Sequence, residues 1–210
     1  MKITEIFFSL QGETSFVGLP TVFVLLTGGP LRGIYCDTAY AFSGGENKSI
    51  EEILAIVGQY QTKYVTVTGG EPLAQKECID LLTTLCDRGY TVSLETSGAL
   101  SVKAVDPRVV KIVDLKTPSS LESSKNDFEN MQYLHAQDEV KFVIGDRADY
   151  EWSKKIISQF DLNKVCRLLF SPTYQKMDYR VLADWILEDQ LPVRFQVQLH
   201  KVVWGDVKGK

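Results

Sequence analysis

Short runs of strand-like period alternate with runs spaced like one face of a helix along almost the whole chain. Ile3–Leu10 and Thr21–Thr27 read as strands, and the second, TVFVLLT, is apolar on both faces. Continuous runs of that kind suit strands covered on both sides of a parallel sheet. Ser49-Ile50-Glu51-Glu52 carries a capping-box signature and predicts a helix running to about Gln61. Tyr64–Thr68, YVTVT, is a third strand and ends at Gly69-Gly70. Apolar residues at Ile79, Leu81, Leu82 and Leu85 predict a helix over Ala74–Arg88, with Gly89 suited to its C-terminal cap.

The alternation continues to the end of the chain. Strands are expected at Thr91–Glu95, Val109–Leu115, Glu139–Ile144, Val165–Phe170 and Val193–Leu199, and helices at about Asp149–Gln159 and Asp178–Glu188. Thr117–Asn130, rich in Ser, Asn and Glu, reads as a mobile loop leading into a short helix. No repeat, low-complexity tract or linker divides the chain, so residues 1–210 form one expected domain. Repeated β-α alternation implies an α/β fold, with parallel strands joined by right-handed helical crossovers.

Composition narrows the class without naming a function. A hydrophobic share of 44% and a charged share of 24% are ordinary for a globular protein of 210 residues. A net charge of −4 gives no bulk attraction to nucleic acid or to an anionic membrane. No apolar run has the length of a spanning helix, and the N-terminus alternates with early glutamates, unlike a signal peptide. A cytoplasmic protein is expected. The cysteines Cys36, Cys78, Cys86 and Cys166 are scattered, which argues against a disulfide framework. Cys78 and Cys86 lie in a helical pattern and fit packing positions.

In parallel α/β sheets, ligands bind beyond the carboxyl ends of the strands. Here the unusual clusters fall there: Thr27-Gly28-Gly29, Thr68-Gly69-Gly70-Glu71-Pro72, Glu95-Thr96-Ser97-Gly98, Asp114-Leu115-Lys116 and Ser171-Pro172-Thr173. In TGGEP the glycines allow close approach of the backbone to a ligand, and Glu71 can accept from an ammonium or hydroxyl. An ordinary strand-to-helix turn with Pro72 at the helix start is the other reading. Glu95 and Ser97 suit a ribose or amino-acid ligand, or else a capping turn. Lys116 could meet a carboxylate or stay solvated. Leu10-Gln11-Gly12-Glu13 closes the first strand, and Gln198, His200 and Lys201 stand at the end of the last, where His200 is a ligand group or a structural histidine.

Taken in order, EIFFSLQGE, PLRGIYCDT, TVTGGEP, LETSG, VDLK, FSPTYQK and QVQLHKVVWG span the chain. In this order and spacing the sequence resembles the radical S-adenosylmethionine superfamily and, within it, the 7-carboxy-7-deazaguanine synthase family. The resemblance implies a partial β/α barrel, usually homodimeric, with a [4Fe–4S] cluster on three cysteines whose open iron binds S-adenosylmethionine. It implies a 5′-deoxyadenosyl radical acting on 6-carboxy-5,6,7,8-tetrahydropterin, ring contraction with loss of ammonia, help from Mg²⁺, and a flavodoxin-type reductant. By that likeness Gly70, Glu71, Glu95, Ser97, Asp114, Leu115, Lys116, Ser171, Pro172, Thr173 and Tyr174 would meet the cofactor. Leu10, Gln11, Gly12, Glu13, Leu25, Thr68 and His200 would face the pterin, Cys36 the cluster, and Thr38 the Mg²⁺.

TGGPLRGIYCDTAY departs from that pattern. The family's C-x₃-C-x₂-C cysteines fall at Gly29, Gly33 and Cys36, and glycine has no side chain to bind iron. Leu25 stands where the family has an arginine, so the bidentate pairing of a guanidinium with a carboxylate is lost. Three accounts fit these departures: an altered version of an active synthase, a natural relative that binds a nucleoside, pterin or protein partner without radical chemistry, or an enzyme of another kind in the same pocket.

Overall fold

The computed structural model describes residues 1–29, 43–205, 207 and 209. Among these, nine strands form one sheet: β1 (Lys2–Leu10), β2 (Pro20–Leu26), β3 (Glu46–Asn47), β4 (Tyr64–Gly69), β5 (Thr91–Thr96), β6 (Val110–Leu115), β7 (Glu139–Ile144), β8 (Arg167–Pro172) and β9 (Arg194–Phe195). Six helices accompany them: α1 (Ile50–Val57), α2 (Cys78–Asp87), α3 (Arg147–Gln159), α4 (Leu162–Val165), α5 (Tyr179–Glu188) and α6 (Leu199–Trp204). The spatial order is β3-β1-β2-β4-β5-β6-β7-β8-β9. From β2 to β9 every neighbouring pair is parallel, while β1 runs antiparallel to both β2 and β3. The reason is the connection. Residues 11–19 return the chain directly from β1 to β2 with no helix between them, and a direct return of this kind joins antiparallel strands.

Side-chain alternation along each strand separates two faces. Val22, Val24, Leu26, Val65, Val67, Val92 and Leu94 pack with Ile53, Val57, Leu81, Leu82 and Leu85 of α1 and α2. Val113, Leu115, Val140, Phe142, Ile144, Leu168 and Phe170 pack with residues of α3, α4 and α5. The alternate residues face the other way and are largely polar: Thr66, Thr68, Ser93, Glu95, Asp114, Lys141 and Ser171. Leu25 is 2% exposed and lies outside the helix-side core, on this second face.

Several element bounds shift from the sequence expectation for local reasons. The capping box at Ser49 is formed, with Ser49 Oγ accepting from Glu52 N–H and the Glu52 carboxylate from Ser49 N–H, but α1 ends at Val57 against Gly58. The helix expected from Ala74 starts at Cys78, because Pro72–Ala74 forms a separate 3₁₀ turn. Val165 belongs to α4, so β8 begins at Arg167. Of the strand expected over Val193–Leu199, only Arg194–Phe195 pairs with the sheet, and Leu199 opens α6. The 117–130 segment contains 3₁₀ turns at Pro118–Ser120 and Ser123–Lys125, and another begins at Phe128. Among the described residues no helix is long and apolar enough to cross a membrane.

Candidate functional site

The polar face carries a connected set of charges at the carboxyl ends of its strands. Lys141 projects from the middle of β7 and its Nζ lies 2.7 Å from Glu13 and 3.6 Å from Asp114. Lys116 at the end of β6 lies 3.1 Å from the same Asp114 oxygen. Burial alone would lower the Lys141 pKa, but the Glu13, Asp114 and Glu95 carboxylates outweigh it and hold the ammonium above its ordinary range. Burial likewise works against ionised Asp114, and Lys116 and Lys141 overcome it, leaving its pKa low. Asp114 Oδ1 and Thr173 Oγ1 are buried with no hydrogen-bond partner among the described residues. Both stand at strand ends, where a ligand would supply the missing bonds.

Glu95 sits apart from that pair. It accepts from Gln11 Nε2 at 3.1 Å and, at a long 3.5 Å, from Thr68 Oγ1. Desolvation is the main cause that pushes its pKa up to about 7; Glu13 and Asp114 add to it, while Lys141 and the Gln11 bond oppose it. Gln11 also donates to Thr66 Oγ1 at 3.2 Å and accepts from Glu13 N–H at 3.1 Å, so it links the β1–β2 connection to the sheet floor. Leu25 is the register partner of Thr68 on the adjacent strand, and Thr68 stands between it and Glu95 on β5.

TGGEP and LETSG are joined to each other. The Glu71 carboxylate, 0% exposed, accepts from Thr96 Oγ1 and Ser97 N–H at 2.9 Å, from Leu73 N–H at 3.1 Å, and from the Ser97 hydroxyl. The Glu71 and Ser97 side chains are therefore turned to one another inside the fold. Gly70 N–H donates to Leu26 O and Glu71 N–H to Gly28 O at 2.8 Å, extending the β2–β4 pairing past the strand ends. Gly29 has φ +140°, and a Cβ there would lie 2.7 Å from Glu71 N and 2.8 Å from Glu71 Cβ. A Cβ on Gly70 would lie 1.9 Å from Gly28 O. Gly33, Cys36 and Thr38 lie outside the described residues.

The remaining expected residues divide by position. Leu10 ends β1 opposite Pro20. Leu115 is buried in the helix-side core, which leaves only its backbone at the strand end. Ser171 Oγ donates to Gln196 O at 2.9 Å and reaches Glu13 at 3.5 Å, Pro172 closes β8, and Thr173 N–H donates to Ile144 O. Tyr174 lies under Lys201 Nζ, 5.4 Å from the ring centroid. His200 is on α6 rather than on a strand, and its ring covers Gly12, where a Cβ would lie 2.0 Å from His200 Nδ1. Neither Lys141 nor Gln196 is reached by sequence reasoning. Lys141 had a signal, a lysine at an inward position of the apolar strand EVKFVI. Gln196 had none, because its partner lies far away in the chain.

A family model described as the Radical SAM superfamily matches residues 24–160. The 7-carboxy-7-deazaguanine synthase of Koribacter versatilis is 44% identical over 219 residues, covering 97% of this chain and 97% of that one. That of Chlorobaculum tepidum is 43% identical, covering 100% of this chain and 97% of that one. The crystal structure of QueE from Escherichia coli shares the fold with a TM-score of 0.79 at 23% identity, over 95% of this chain and 94% of that one. A mostly parallel sheet with its ligand-type groups at strand ends and two full-length relatives of one name agree: the chain belongs to the radical SAM superfamily and, within it, to the 7-carboxy-7-deazaguanine synthase family.

Proposed function

We propose that the polar face is a pocket for a carboxylated reduced pterin, and that the chain as written binds there without completing the radical reaction of its family. The family's cofactors are S-adenosylmethionine and a [4Fe–4S] cluster. Its product, by the relatives' name, is 7-carboxy-7-deazaguanine. Formation from 6-carboxy-5,6,7,8-tetrahydropterin with loss of one ammonia balances the atoms. Gln11, Gly12 and Thr68 would face the pterin, and Glu95, expected from the family likeness at the cofactor, is hydrogen-bonded to Gln11 and Thr68 and so adjoins the same wall. Glu95, with a pKa near 7, can hold or release a proton there. Leu25 offers no charge to a ligand carboxylate, so that end of the ligand is held weakly. Asp114, Lys116 and Ser171–Tyr174 form the rim where S-adenosylmethionine would lie. Mg²⁺ at Thr38, a homodimer and a flavodoxin-type reductant belong to the same reading.

The described residues do not fit a cluster. The backbone at Gly28-Gly29 is closed against Glu71, at a φ that disfavours any side chain and with no room for a Cβ at Gly29. Cys78 and Cys166 are buried, and their thiols are pushed up to about 12 mainly by that burial, far from the thiolate form iron requires. Burial also raises Cys86. Among the described residues no group of three or more His, Cys, Asp or Glu is placed to hold a metal ion.

The closed glycine turn at Gly29 carries this reading. Anaerobic reconstitution with iron and sulfide is expected to leave iron near background, with no broad visible charge-transfer band. Incorporation of about four irons per chain would overturn that half of it. The binding half predicts that the pterin raises the melting temperature by linkage. No shift at saturating pterin would remove it.

A further inference from the structure

Residues 11–19 leave β1 near one side of the strand order and hydrogen-bond to β7 and to the segment beyond β9 on the other. Ser15 N–H donates to both Glu139 carboxylate oxygens at 3.0 and 3.1 Å, and Leu199 N–H donates to Gly12 O at 2.8 Å. This strap joins the two sides of an incomplete barrel and carries Gln11, Gly12 and Glu13 across the pocket. At its centre Thr14 is 1% exposed and has φ 66°, left-handed backbone that a β-branched residue resists. Something must hold it there.

Gln196, 6% exposed and just past β9, is placed to do so. Its Oε1 accepts from Thr14 N–H at 2.6 Å and its Nε2 donates to Thr14 O at 2.7 Å. The side-chain amide thus pairs with both backbone groups of one residue, as a neighbouring strand would. Its own backbone is fixed in turn, with N–H donating to Phe170 O and the carbonyl accepting from Ser171 Oγ, both at 2.9 Å. Ser171 Oγ also reaches Glu13, the residue before Thr14.

We propose that Gln196 is a positioning residue for the ligand pocket: by clamping Thr14 in its left-handed conformation it fixes Glu13 against Lys141 and Ser171, and Gly12 beneath His200. It touches no ligand itself. The binding consequence rests on the pterin reading given above; the clamp does not.

The test is a two-by-two set: the parent chain, Gln196→Ala, Thr14→Gly and the double variant. Each is examined by amide hydrogen exchange and by anaerobic calorimetric titration with 6-carboxy-5,6,7,8-tetrahydropterin. Gln196→Ala is expected to speed exchange at Thr14 and Ser15 and weaken binding about tenfold, the equivalent of the two lost hydrogen bonds. Glycine reaches the left-handed region without being held, so Gln196→Ala should cost much less binding when made on Thr14→Gly. A merely structural glutamine would give the same loss in both backgrounds, and that result overturns the proposal. If the parent chain binds no pterin, the pterin reading falls and exchange alone decides the clamp. Unchanged Thr14 and Ser15 protection in Gln196→Ala then overturns it.

Discussion

Glu71 and Glu95 stand at the ends of neighbouring parallel strands, yet their surroundings differ in the one respect that separates a structural carboxylate from a reactive one. Glu71 is fully enclosed and collects hydrogen bonds from Leu73, Thr96 and twice from Ser97. Glu95 is partly buried, with two side-chain donors, one of them at 3.5 Å. A carboxylate with a full set of donors has its charge compensated within the fold. Glu95 is pushed toward its neutral form, its pKa raised to about 7 chiefly by desolvation, which its few donors and Lys141 only partly offset. The first serves as a peg between two motifs, and the second is left for chemistry or for a ligand.

Removing the peg gives the largest expected effect. Glu71→Ala leaves Ser97 N–H, two hydroxyls and Leu73 N–H without an acceptor, and should destabilise the chain by about 3–5 kcal/mol in urea unfolding. A loss near that of an ordinary surface change, under about 0.5 kcal/mol, would erase the distinction between the two glutamates.

Glu95→Gln should act in the opposite direction and only at the right pH. The carboxyl titrates near its ordinary 4.5 when unfolded and near 7 when folded. Between those values the folded state keeps a proton that the unfolded state has released, so stability falls as pH rises through the window and levels off above it. Solvent reaches this partly buried group, so the decline from pH 4.5 to 7.5 attributable to it should be about 2 kcal/mol. Glutamine does not titrate, and urea midpoints of Glu95→Gln should lack that component. Parallel pH profiles for the two proteins would show that folding does not raise the Glu95 pKa.

The two glutamates also show which parts of the site can be read from one sequence. TGGEP and LETSG are visible because glycine pairs and carboxylates at strand ends are unusual locally, and the β-α alternation places them on one rim. That Glu71 faces Thr96 and Ser97 is a tertiary fact, set by the register of β4 and β5. From sequence Glu71 reads as an acceptor for a ligand or as part of an ordinary turn; in the structure its oxygens accept from Leu73, Thr96 and Ser97. β9 is misjudged for a related reason. The alternation in VRFQVQL suits a strand, but this is the sheet's last strand, and beyond Phe195 the chain turns to the strap, with Gln196 bonding Thr14 and Leu199 bonding Gly12. Lys141 is legible only as a cation among β7's apolar residues; the three carboxylates around it come from separate segments.

The smallest expected effect bears on Leu25, one strand beyond Thr68 from Glu95. Leu25 is fully buried next to Thr68, whose hydroxyl reaches the Glu95 carboxylate. Leu25→Arg places a guanidinium in that corner. Its burial and added volume cost stability at every pH, so absolute stability is a poor measure of pairing. The pH dependence is a better one, because a cation near Glu95 favours the ionised form and draws its folded pKa back toward the unfolded value. The decline between pH 4.5 and 7.5 should then shrink by about 1 kcal/mol relative to the parent chain, measured as a difference of urea-unfolding free energies at the two pH values. An unchanged decline would mean that the arginine turns away from Glu95, and that Leu25 is a packing residue unconnected with the poised carboxylate. A flattened profile would mean that leucine at this position is what leaves Glu95 short of a partner, while Glu71, on the helix side of its own turn, keeps every one of its donors.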